Sequence, residues 1–83
     1  MVSWEEMRRT AVRDDALRRP PSGVVTRIDP VRVRVRAIEG DAIAYTATHV
    51  LVEWVKCGEH HVRWEVSGQV TRIGPQAGLP PTP

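Results

Sequence analysis

The chain lacks most of the residues that announce a function. Its 83 residues include no phenylalanine, one tyrosine and one cysteine. Three tryptophans must therefore supply the apolar volume together with Val, Ile and Leu. Such a length supports one domain with one thin core. The lone Cys57 excludes an internal disulfide framework and fits a reducing compartment. No apolar run approaches membrane-spanning length, and with Trp4-Glu5-Glu6 in place of an apolar stretch no leader segment is expected. These absences predict a cytoplasmic protein without a membrane contact. A large excess of one charge is missing as well: the net charge is +2. The sequence pI of about 9.3 overstates it, because a few extra arginines move a pI far. Any electrostatic site must be a local patch. Lys56 is the only lysine, and arginine, valine, alanine and proline are enriched together, as a GC-rich bacterial genome would give.

What the chain does have is alternation. In Val31-Arg32-Val33-Arg34-Val35-Arg36 the side chains change character at every step. On a β-strand the valines share one face and the arginines the other. The strand is then half buried, with a guanidinium ladder on its open side.

The first segment, residues 1–21, reads as a helix with a proline stop. Ser3 caps it, Glu6 completes a capping box, and Pro20-Pro21 ends it. Glu5 and Glu6 sit at the positive end of the helix dipole, Arg18 and Arg19 at the negative end. Trp4, Met7 and Ala11 form a narrow apolar stripe, with Val12, Ala16 and Leu17 to one side. Residues 22–74 read as strands. Val24 to Asp29 is the first, Pro30 interrupts, and the Val/Arg strand runs to Ile38. Glu39-Gly40-Asp41-Ala42 predicts a tight hairpin centred on Gly40-Asp41, which sets Tyr45 opposite Arg36. The return strand spans Ala42 to Ala47, and a bend near Thr46 to His49 is expected, because the inside face switches there. Gly58 predicts a second hairpin, with Val55 opposite Val62, Glu53 opposite Trp64 and Arg63 beside Trp54. In that register Glu53 falls on the core side. It either pairs with an arginine there or marks a different register. Val70 to Ile73 is a short last strand that echoes Val25 to Ile28. Residues 75–83 carry several prolines and read as a disordered tail.

One helix followed by five to six short bent strands, ending in Trp64-Glu65-Val66-Ser67-Gly68-Gln69-Val70-Thr71-Arg72-Ile73, resembles the SH3-like small-barrel superfold. The helix-first order is similar to Sm-like barrels, including bacterial Sm-like RNA chaperones. The resemblance implies a mainly β (α+β) fold: an N-terminal helix, then a small bent antiparallel barrel. Those relatives typically form rings and bind RNA. Their Lys-His RNA-binding motif is absent, and Arg63-Trp64-Glu65 stands at the matching strand.

Two sets of candidate site residues follow. Arg32, Arg34, Arg36, Tyr45 and Arg63 form a nucleic-acid set: guanidinium groups track phosphates and an aromatic ring stacks on a base. A solvated strand face, its arginines paired with Glu39, Asp41 or Glu53, is the structural alternative. Trp4, Met7 and Trp54 form a protein-interaction set, acting with a free sheet edge. Cys57 and His60 have the spacing of two zinc ligands, but no second pair completes a site and an exposed hairpin tip explains them. No orienting group accompanies a Cys57–His60 nucleophile, so neither catalytic residues nor metal nor cofactor are expected. The sequence thus favours a non-enzymatic nucleic-acid-binding accessory protein. The alternative is a protein-interaction module, adaptor or assembly subunit, including a homo-oligomer.

Overall fold

The computed structural model describes residues 3–21 and 23–73, so the stretch expected to be a tail lies outside the described residues. Helix α1 spans Trp4–Arg18. Strands β1 (Thr26–Val35), β2 (Ile38–Tyr45), β3 (His49–Lys56) and β4 (Glu59–Val66) follow, then a 3₁₀ turn (Ser67–Gln69) and β5 (Val70–Arg72). All neighbours are antiparallel, in the order β4-β3-β2-β1-β5. The fold is α+β and mainly β, as the sequence predicts. The expected closed barrel is corrected to one unclosed sheet. Three-residue β5 covers only Val33 to Val35 of β1, and β4 is left as the opposite edge.

The helix starts where its cap predicts. The Ser3 hydroxyl accepts the Glu6 amide at 3.1 Å. Two expected strands merge into one: β1 runs through Pro30, which sits where the β1–β2 register slips, between Arg27 and Val31. A proline needs no ladder partner at such an irregularity.

The first hairpin is corrected. Its turn is Arg36-Ala37, and Gly40-Asp41 lies within β2, with Val33 opposite Gly40 and Arg34 opposite Glu39. Arg36 takes a positive φ of 57° to make the turn. Gly40 is glycine for a different reason. A Cβ there would stand 2.4 Å from the Glu53 carbonyl oxygen and 2.9 Å from the Trp54 Cβ. The residue marks a close approach of strands, which looks the same in sequence as a turn.

The second hairpin turns on Cys57-Gly58, with φ values of 51° and 78°. Two positive φ angles make a type I′ turn rather than the expected type II′. The turn also sits one residue earlier than expected, with Gly58 second rather than first, so the pairing shifts by two residues: Glu53 faces Val62 and Leu51 faces Trp64. An even shift leaves every side chain on its expected face. The break between β2 and β3 falls at Thr46 to Thr48, within the expected region. The Thr46 hydroxyl accepts the amides of Thr48 and His49 there. A further register slip lies between Ala42 and Ala44.

The two faces of the sheet differ. Val33, Val35, Ala42 and Val52 are buried together, with Ile28, Val31, Val50, Trp54 and Val70 packed around them. Val70 on edge strand β5 and Trp54 on β3 reach the same cluster, so the sheet curls over this face. The other face carries fully buried Leu51, half-buried Trp64 and Glu53, and it receives α1.

Candidate functional site

The nucleic-acid set is not brought together. Arg32 and Arg34 share the helix-side face of β1, as their alternation requires. Each meets a carboxylate from β2: Arg32 with Asp41 at 3.7 Å and Arg34 with Glu39 at 3.4 Å. Arg36 is in the turn. Tyr45 lies at the far end of β2, opposite Thr26 and Val50, so the expected Arg36–Tyr45 pair does not form. Arg63 pairs with Val52 on the other face of the sheet and stands 5.9 Å over the Trp54 ring. It also approaches Glu65, at 3.8 Å.

Arg32, Glu39, Asp41 and Glu53 line one hollow with Arg9 and Arg13 of α1, alongside His60. Three guanidinium groups meet three carboxylates there. The hollow is charge-balanced rather than cationic.

Glu53 is its centre. Its Oε2 accepts from Arg13 Nε and from His60 Nε2, the latter at 2.7 Å. Glu53 and His60 side chains are 13% and 11% exposed. Burial pushes the Glu53 carboxyl upward. The hydrogen bonds and charges of Arg13 and His60 outweigh it and hold the group below its ordinary value. The sequence had flagged Glu53 as a carboxylate on a core face; its arginine partner is Arg13, 40 positions away. A second polar contact reinforces the docking. The Trp64 indole N–H donates to the Ala16 carbonyl at 2.9 Å, a second donor beside the Arg19 amide that caps the last turn of α1.

The sequence missed which side of α1 docks. The side toward the sheet presents Arg9, Arg13, Ala16 and Leu17, all part-buried. The expected Trp4/Met7/Ala11 stripe faces away. Trp4 is 81% exposed and Met7 54%. Trp54, the third member of the interaction set, is half-buried against the core and stacked with His61 at 5.1 Å. The spacing of Arg9, Arg13, Ala16 and Leu17 was readable, but two of the four are arginines, and an apolar-stripe search passes over them.

His60 and His61 point to opposite faces, one to Glu53 and one to Trp54. Cys57 is exposed in its turn. Among the described residues no group of three or more His, Cys, Asp or Glu could hold a metal ion, and no helix is long and apolar enough to cross a membrane. Comparison with protein-family models, curated proteins and solved structures finds no match.

Proposed function

We propose that this chain is a non-enzymatic interaction module whose outward helix face meets a protein partner. The observation that carries the reading is Trp4, 81% exposed on a folded, capped helix, with Met7 beside it. A tryptophan carries about 150–250 Å² of surface, and aromatic residues and methionine are enriched where proteins meet. The polar contacts that dock α1 run through Arg13 and Ala16, not through either side chain.

The helix-first order, the strand order and the 3₁₀ turn before β5 support kinship with SH3-like small barrels. The resemblance to Sm-like proteins brings assembly as a mode of action. It supports an RNA ligand less well. The arginine ladder is matched by acids across the strand pair, and the expected contact residues divide between two faces. Exposed ion pairs are weak, so phosphate can displace them. The displaced carboxylates would still repel it.

The test is a photo-reactive residue placed at position 4 and, separately, at position 34, in cells that make the chain. Protein adducts from position 4 are expected. Nucleic-acid adducts from position 34 with no protein adduct from position 4 would overturn the reading, as would the absence of any adduct from position 4.

A further inference from the structure

The outward face of α1 is self-complementary, and its charges identify the partner. Successive residues turn by about 100° around a helix. Opposite the docked side stand Trp4, Met7, Arg8, Ala11, Asp15 and Arg18, all six exposed. Ala11 is the midpoint of the helix Trp4–Arg18.

Resting on the reading of this face as a protein-contact surface, we infer that its partner is a second copy of the same chain, paired helix to helix, antiparallel, about a two-fold axis at Ala11. An isologous contact requires that a surface match itself under that rotation. This one does. Ala11 meets its own copy, and so small a residue lets the helices approach closely. Arg8 comes within one residue, about 1.5 Å of rise, of the level of the second copy's Asp15 on the same flank, and symmetry gives that ion pair twice. Trp4 comes to the level of the second copy's Arg18, where a guanidinium can lie on the indole face. Met7 fills the seam between. The intrahelical pair of Asp15 with Arg19, at 3.3 Å, is highly exposed and leaves a carboxylate oxygen for Arg8. The antiparallel arrangement also opposes the two helix dipoles favourably. Other alignments lose this match: centred one turn nearer the N-terminus, Arg8 would face its own copy.

A helix of 15 residues is about 22 Å long. The contact is therefore smaller than a standard interface of about 1,600 Å², and the dimer is reversible and concentration-dependent.

Sedimentation velocity from micromolar to millimolar chain tests it. The wild type should pass from monomer to dimer. Arg8→Asp and Asp15→Arg each place like charges together and should each weaken the dimer at least about tenfold. Both positions are exposed, so both variants keep the fold, which circular dichroism checks. Mixing the two variants should restore a dimer, because each introduced charge then faces its opposite. A wild type monomeric throughout, or a dimer indifferent to both swaps, overturns the inference. If the wild type is monomeric while position 4 cross-links to a different protein, the interaction-module reading stands and self-pairing falls. If position 4 yields no adduct as well, both fall.

Discussion

The two sides of α1 invert the usual arrangement of a surface helix. The side on the sheet holds Arg9 and Arg13 and is fixed by polar contacts: Arg13 and His60 on Glu53, and the Trp64 indole on the Ala16 carbonyl. The side in solvent holds Trp4 and Met7. A helix that served only to cover the sheet would be turned the other way, with its apolar stripe inward. The difference teaches that docking and the apolar stripe are separate features of this helix. The first anchors it, and the second is left for another molecule.

Substitutions on the two sides should therefore behave oppositely. The largest loss of stability is expected from Trp64→Ala, which removes both the indole hydrogen bond and the packing beneath α1. About 2–3 kcal/mol should disappear in urea unfolding, less than for a fully buried tryptophan because Trp64 is half-buried. A loss near zero would mean that the helix is not held on this side.

Glu53→Gln comes next, at about 1–2 kcal/mol, since it removes the charge that Arg13 and His60 share. Its effect is also tied to acidity. The folded-state value of Glu53 lies below the ordinary 4.5, so its contribution is present above that value and is lost as the pH falls through the lower folded one. Wild type should lose this part of its stability in acid, and the variant should show a flatter curve over the same window. Equal acid limbs would remove Glu53 from the account.

Trp4→Ala and Met7→Ala, on the other side, should change unfolding by no more than about 0.5 kcal/mol while weakening association. Stability lost to the same extent as for Trp64→Ala would erase the contrast between the sides. Smallest of all, Arg34→Ala should leave stability nearly unchanged, within about 0.3 kcal/mol, because its pair with Glu39 is half-exposed on both partners and solvent screens it. It should also leave the affinity for single-stranded RNA, read by fluorescence anisotropy at low salt, unchanged. A steep loss of RNA binding would return the ladder to the nucleic-acid reading.

The elements were largely legible. The Ser3 cap and the Pro20-Pro21 stop bracketed α1, and period-two alternation marked the strands. What misled was the dual meaning of glycine and proline. Gly40 looked like a turn and is a close strand contact, and Pro30 looked like a break and sits in a register slip. Moving the first turn to Arg36-Ala37 also separated Tyr45 from the ladder, which dissolved the expected stacking site. The second hairpin erred by an even number, so its faces survived, and Glu53 kept its odd position on the inner side. That Arg13 would neutralise it was not readable, because the pairing depends on how the helix rotates as it docks. Hydrophobic spacing sets that rotation in most helices. Here polar contacts set it, and they carry no periodic signal.

The most direct test is the exposure of the three indole N–H groups to a soluble paramagnetic reagent, measured by NMR in dilute protein and assigned with single Trp→Phe variants. Trp4 should broaden most, Trp54 less, and Trp64, bonded to Ala16, least. A Trp4 signal as protected as that of Trp64 would mean that α1 docks through its apolar stripe, and the outward face proposed as the interaction surface would not exist.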